Sequence, residues 1–281
     1  MNHNIHPCIW YDGNAKEAAT FYCSMFDNSR ITTDSPMVVN FELYGQKFMG
    51  LNGGPQFKTN PSISFFIICE TDEEIENLWK KLSDGGMVMM ALDKYPWSEK
   101  YGFVKDKFGL SWQLMKGKYS DVNQKITPCF LFVGAQYGNA EKAVKFYTRV
   151  FPQSSINGIL LYEPNEGEQQ AGKVKHSQFI VDEKVFMAMD GFGQHEFAFN
   201  EAISFVVECR NQEEIDLYWN KLTEGGKESR CGWLADQFGV SWQIIPNNIG
   251  QLMSSKNAQN LMPAIMQMNK LDMAALEKAV Q

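Results

Sequence analysis

Asp106-Lys107-Phe108-Gly109-Leu110-Ser111-Trp112-Gln113 returns further along the chain as Asp236-Gln237-Phe238-Gly239-Val240-Ser241-Trp242-Gln243. Working outward, Ile63-Ser64-Phe65 returns as Ile203-Ser204-Phe205, and Leu82 with Gly85-Gly86 returns as Leu222 with Gly225-Gly226. Pro7-Cys8 answers Pro128-Cys129, and Phe21-Tyr22 answers Phe146-Tyr147. The matches keep their order while the offset drifts only between 121 and 140 residues, as loop insertions would cause. A period of this size is a domain duplication, because solenoid repeats run at roughly 20–50 residues. Any chemistry performed by both halves should therefore leave its residues in both.

The 281 residues suit two domains, each long enough for its own core. Hydrophobic residues make up 44%, which excludes a disordered chain. The formal net charge of −7, with no basic block, argues against a nucleic-acid surface. No run approaches the roughly 18 apolar residues of a membrane span. The first six residues, Met1-Asn2-His3-Asn4-Ile5-His6, lack the pattern of a secretory signal, so a cytoplasmic location is expected. The six cysteines form no C-x-x-C pair. Four of them, Cys8 with Cys129 and Cys69 with Cys209, are repeat-equivalent and sit in apolar runs, which reads as buried reduced thiols. Cys231, beside Gly232-Trp233, is a candidate cavity thiol.

Each half reads as strand, helix and three strands, then the same again. Ala18, Phe21, Tyr22 and Met25 form one apolar face of a helix expected over 15–26, which Asp12-Gly13-Asn14 can cap. Thr71, with Glu74 three residues on, forms a capping box for a second helix whose buried face is Ile75, Leu78, Trp79 and Leu82. Residues 118–125 form a linker. Beyond Pro246 a different tail follows, with apolar residues at Leu261, Ile265 and Met268 and a second helical turn opened by Asp272. It either packs on a domain or binds a partner.

This module order, closed in each half by Asp-x-Phe-Gly-x-Ser-Trp-Gln, resembles the vicinal oxygen chelate superfamily, which includes glyoxalase I, bleomycin-resistance proteins and extradiol dioxygenases. Within it the chain resembles the PhnB-like group labelled 3-demethylubiquinone-9 3-methyltransferase. The segments that carry this likeness include Trp10-Tyr11-Asp12-Gly13-Asn14-Ala15, Phe48-Met49-Gly50-Leu51-Asn52-Gly53-Gly54-Pro55, Asn200-Glu201-Ala202-Ile203-Ser204-Phe205 and Cys231-Gly232-Trp233-Leu234. The resemblance implies an α+β fold of tandem glyoxalase-like domains. Each would be two βαβββ modules whose curled mixed sheets surround a cavity. The expected division is residues 1–117, linker 118–125, residues 126–246 and a helical tail 247–281. The joined halves would supply an internal pseudo-dimer, either as a monomer or within a homodimer.

The superfamily's enzymes hold a divalent metal with His, Gln and Glu side chains facing the cavity, and such a site needs several converging ligands. Here the closing-strand Glu position reads Gln113 and Gln243. Trp10 and 130–132 stand where a His would be expected, and the strands 62–69 and 202–208 contain no His. His3 and His6 are expected at a loose terminus and His195 in a loop, which leaves His176, opposite Val38 in the repeat. No metal or other cofactor is therefore expected.

His176 is either a titratable cavity residue, and then the best catalytic candidate, or a hydrogen-bonded structural histidine. Asp190, opposite Asn52, suggests a turn or cap role. Trp112 and Gln113, like Trp242 and Gln243, must point to opposite sides of a strand. The expected ligand-contacting residues are His176, Gln243, Trp233, Phe205, Met187, Gln113, Trp10, Phe65 and Met49, with His176 and Gln243 gripping one polar group. The longer segment before Gly102-Phe103 is expected to form a loop over one cavity mouth.

The leading reading is metal-independent binding of a small, partly apolar molecule, which the chain could sequester as resistance proteins of the superfamily do. One alternative is a metal-dependent lyase, isomerase or dioxygenase. Another is a structural or regulatory module with a vestigial cavity. Methyl transfer finds no support, because the glycine pairs 85–86 and 225–226 follow helices instead of opening them after a strand. No nucleic-acid or membrane partner is expected.

Overall fold

The computed structural model describes residues 4–281. The first quarter of the chain forms β1 (Asn4–Tyr11), α1 (Ala15–Cys23), β2 (Arg30–Asp34), β3 (Val38–Leu43) and β4 (Gln46–Asn52). The second forms β5 (Ile63–Cys69), α2 (Asp72–Ser83), β6 (Met87–Tyr95), β7 (Ser98–Lys105) and β8 (Ser111–Lys116). The third forms β9 (Ile126–Phe132), α3 (Ala140–Val150), β10 (Ser155–Leu161), β11 (Val174–Val181) and β12 (Lys184–Asp190). The last module forms β13 (Ile203–Cys209), α4 (Gln212–Thr223), β14 (Lys227–Glu228), β15 (Trp233–Ala235) and β16 (Ser241–Pro246). The tail holds α5 (Ile249–Met253), α6 (Leu261–Met266) and α7 (Met273–Ala279).

These elements fall into two compact units. One comprises residues 1–8 and 203–281, the other residues 9–202, and the division cuts through β1. In every module the first strand lies next to the fourth, and the third lies between the fourth and the second. The larger unit contains a mixed sheet of order β10-β11-β12-β9-β5-β8-β7-β6. Its centre is the antiparallel pair β5 and β9, each flanked by a parallel partner, β8 and β12. This sheet joins the second module of the first half to the first module of the second half. The larger unit also holds the order β1-β4-β3-β2, and the smaller unit holds β14-β15-β16-β13-β1.

The recurring octapeptide is a clasp. Asp106 is buried and accepts four hydrogen bonds. Two come from the Phe108 and Leu110 amides, one from Trp112 Nε1 at 2.7 Å and one from the Tyr22 hydroxyl at 2.8 Å. Asp236 accepts from the Phe238 and Val240 amides and from Trp242 Nε1 in the same way. Gly109 and Gly239 both turn at φ 88°, a left-handed conformation that penalises a side chain, which explains the glycine in each copy. Trp112, held by this carboxylate, packs against Tyr22, Phe26 and Phe65, and Phe48 continues the cluster toward Phe41.

The helix starts follow the expected chemistry with one shift. Thr71 accepts from the Glu74 amide, and Asp272 accepts from the Ala275 amide. Asn14, however, does not cap α1. Asn52 Oδ1 reaches across from β4 to accept the Ala15 amide, and Asp190 likewise takes the Gly138, Ala140 and Val174 amides around α3. Asn52 and Asp190 are thus matched caps. The first helix ends at Cys23, three residues earlier than its apolar pattern suggests, and Phe26 folds back into the core.

Three further expectations are corrected. His6 is buried within β1, not loose, while His3 lies outside the described residues. The segment before Gly102 is not a loop but the long hairpin of β6 and β7. The tail begins with α5, which the apolar pattern did not announce, and it packs within the smaller unit. Leu261, Leu271 and Leu276 are buried, and the Cys231 and Gly232 amides donate to the Met268 and Asn269 carbonyls. Among the described residues no helix is long and apolar enough to cross a membrane.

Replacing Asp106 with Ala strands four donors around a buried site. Urea unfolding should show a loss on the order of 3–5 kcal/mol. A loss of under about 1 kcal/mol would show that the clasp is dispensable.

Candidate functional site

Because Trp112 is turned into the aromatic core, the next residue must face the other side of β8. Gln113 does so, and it is only 6% exposed. Its Nε2 donates to Ser64 Oγ at 2.8 Å, and its Oε1 accepts from the Tyr101 hydroxyl at 2.8 Å. The Cys129 thiol lies beside both Gln113 and Ser64. The amide therefore directs an N–H at a serine and its carbonyl oxygen at a tyrosine, with the Cys129 thiol beside it. Sequence reading picked out Gln113 but not Ser64, Tyr101 or Cys129. The signal lay in the repeat itself, which returned Ser64 as Ser204 and Cys129 as Cys8.

The smaller unit holds the counterpart. Gln243 Nε2 donates to Ser204 Oγ at 2.9 Å, and the Cys8 thiol lies beside both. Burial pushes the Cys8 and Cys129 thiols up to about 12, which favours their protonated form at neutral pH. Trp233 lies directly opposite Gln243 on the neighbouring strand, as Phe103 lies opposite Gln113.

The face around Gln113 is closed. Phe66, Ile68, Tyr101, Cys129, Val185 and Met187 form a buried cluster with Val122, which the linker places on it. Met90, Tyr95, Phe103, Met115 and Met189 pack against this cluster. The hairpin of β6 and β7 thus covers the face through Tyr95, whose ring stacks on Trp97 and meets Tyr101 edge-on. Gln124 fastens the linker by bonding both the amide and the carbonyl of Val185.

The other candidates divide between the two faces. Met187 pairs with Cys129 and faces the same side as Gln113. His176 shares that face through Gln178, which pairs with Met187, but it stands four strands away from Gln113, roughly 19 Å along the sheet. The sheet that carries His176 does not carry Gln243. Phe65 and Phe205 belong to the aromatic core instead, fully buried against Trp112 and Trp242, on the side away from the amides. Met49 is half-buried on β4, on the opposite side of that strand from Phe48. Trp10 donates to the Gly54 carbonyl at 2.7 Å and lies edge-on to Phe57. A Cβ at Gly53 would come within 2.1 Å of its ring, so glycine is required there.

The donor sets do not fit the divalent ion that the resemblance implies. Each glutamine has a serine hydroxyl and a buried cysteine as its polar neighbours on the adjoining strands, with no carboxylate or histidine bonded to it among the described residues. Among the described residues no group of three His, Cys, Asp or Glu side chains is placed to hold a metal.

Burial holds His176 below its usual 6.5, so the folded chain resists its protonation. The unfolded chain takes up that proton first. Stability from the neutral ring is complete above about pH 6.5 and is lost as pH falls toward the lowered folded value. His176→Val, which installs the residue of the first half, should flatten this part of the pH–stability curve. Urea midpoints measured from about pH 8 to about pH 5 test it. An unchanged slope in the variant would assign the acid sensitivity elsewhere.

Comparison with known proteins places this geometry in a family. The family model described as 3-demethylubiquinone-9 3-methyltransferase matches residues 3–115 and again 124–245. A putative 3-demethylubiquinone-9 3-methyltransferase, PhnB protein, from Bacillus cereus is 35% identical over 39% of this chain and 96% of its own, with a TM-score of 0.37. Glyoxalase I from Zea mays is 12% identical, covers 89% of this chain and 94% of its own, and superposes with a TM-score of 0.57, which supports the tandem glyoxalase fold. No curated protein matches the chain. The chain belongs to the 3-demethylubiquinone-9 3-methyltransferase, or PhnB-like, family, and it carries that family's domain twice in an α+β tandem glyoxalase fold.

Proposed function

We propose that the chain binds a small, partly apolar molecule through neutral hydrogen bonds, without a metal, and holds it rather than transforming it. The observation that carries this reading is the repeated glutamine–serine–cysteine node. At the closing-strand position a carboxylate is replaced by an amide whose Nε2 is fixed on Ser64 in one copy and on Ser204 in the other, with Cys129 and Cys8 beside them. An amide so fixed presents one uncharged acceptor in an apolar setting, which suits recognition by hydrogen bonding. Among the described residues no carboxylate or histidine hydrogen-bonds with either amide, which favours binding over acid–base chemistry at the nodes.

A structural role is favoured for one of the two nodes. Gln113 is saturated by its own neighbours, and its face is sealed by Val122, Tyr95 and Met90. Methyl transfer is not supported by the glycine pairs. Gly85 and Gly225 follow α2 and α4 at φ 70° and 72°, where they terminate helices rather than cradle a nucleotide.

Native mass spectrometry of protein purified without chelator tests the proposal. The expected spectrum shows the bare chain or the chain with a retained organic molecule, and no stoichiometric divalent ion. A tightly held metal near one per glutamine would overturn it in favour of a metal-dependent lyase, isomerase or dioxygenase.

A further inference from the structure

The two nodes differ at one position. Counted back from the clasp aspartates, Tyr101 stands five residues before Asp106, and the residue five before Asp236 is Cys231. In the larger unit the Tyr101 hydroxyl fills the Gln113 carbonyl oxygen. In the smaller unit Gln243 Nε2 donates to Ser204 as Gln113 Nε2 does to Ser64, but no hydrogen bond to its Oε1 is formed among the described residues. Gln243 is only 7% exposed, yet this oxygen is not one of the sealed unpartnered atoms. The covering hairpin also differs. Nine- and eight-residue strands shield Gln113, whereas β14 and β15 have only two and three residues.

A nearly buried acceptor without a donor is an incomplete hydrogen-bonding site, and the closed copy shows what completes it. There the partner is the hydroxyl of a phenol ring, supplied by the protein itself. We propose that Gln243 is the working node and that it takes the O–H of a small phenol-like ligand in the place that Tyr101 fills beside Gln113, with the ring lying near Trp233 and Cys231. This rests on the binding reading above and refines it to one node and one ligand chemistry. Tyr101 then acts as a built-in ligand that retires the first node, and the cysteine at position 231 leaves the second one vacant for an external molecule. Both partners stay neutral, since an amide oxygen cannot take up a proton at ordinary pH and a phenol keeps its own.

The test uses phenol and its methyl ether, anisole, which has a similar shape but no donor, with the intact chain. Calorimetry should show one phenol site per chain, with anisole bound about tenfold more weakly, the loss expected for one buried hydrogen bond. Gln243→Leu should abolish the preference for phenol, while Gln113→Leu should leave it intact. Tyr101→Ala removes the internal phenol and should create a second phenol site, and this holds even if the Gln243 variant fails to fold. Equal affinity for phenol and anisole, two phenol sites in the unaltered chain, or a preference lost through Gln113 instead of Gln243 would each overturn the assignment. If phenol does not bind but another organic molecule is retained in native mass spectrometry, this inference fails and the broader binding reading stands. A stoichiometric metal would remove both.

Discussion

The hydrogen bond from tryptophan to aspartate in the recurring octapeptide is the constraint on which the rest of the site depends. Asp106 fixes Trp112 into the aromatic core while accepting two turn amides, and Asp236 does the same for Trp242. Strand alternation then leaves no choice for the next residue, and Gln113 and Gln243 are turned to the opposite face. A serine on the adjacent strand takes an amide hydrogen and sets which way the carbonyl oxygen points. Core packing and site geometry are thus one arrangement read from its two sides.

Duplication gave the chain two copies of this arrangement, and the copies have taken different roles through a single neighbour. Where the repeat supplies a tyrosine, the amide is saturated from within, and the linker's Val122 and the long hairpin close over it. Where it supplies Cys231, the oxygen stays open, and the short strands are supplemented by the tail through the Met268 and Asn269 carbonyls. The sealed copy gains stability from burying its polar groups fully paired. The open copy keeps an unpaired acceptor, and that is the condition for binding something else.

The repeat, the module order, the capping threonine and the matched Asn52–Asp190 pair were legible in the sequence because each depends on neighbours close in the chain or on like positions in the two halves. The nodes were only half legible. Gln113 stood out by its motif, but Cys129 reaches it from the other half of the chain, through the β5 and β9 pairing at the centre of the sheet. Aligning the halves compares like with like and cannot show which modules share a sheet. Phe65 and Phe205 were expected near a ligand, yet register with Trp112 and Trp242 sends them into the core. His176 was expected beside Gln243, yet its sheet does not carry that residue, and it stands four strands from Gln113, a separation that only strand order reveals.

The central claim is that these glutamines act as fixed neutral amides and not as metal ligands. Side-chain amide resonances of Gln113 and Gln243, followed in nitrogen-15-labelled protein as manganese(II) is added to equimolar amount, test it most directly. The account predicts that both NH2 signals persist unbroadened, because their Nε2 atoms are held by Ser64 and by Ser204. Selective loss of either signal on adding the paramagnetic ion would place a metal at the amide and contradict the account.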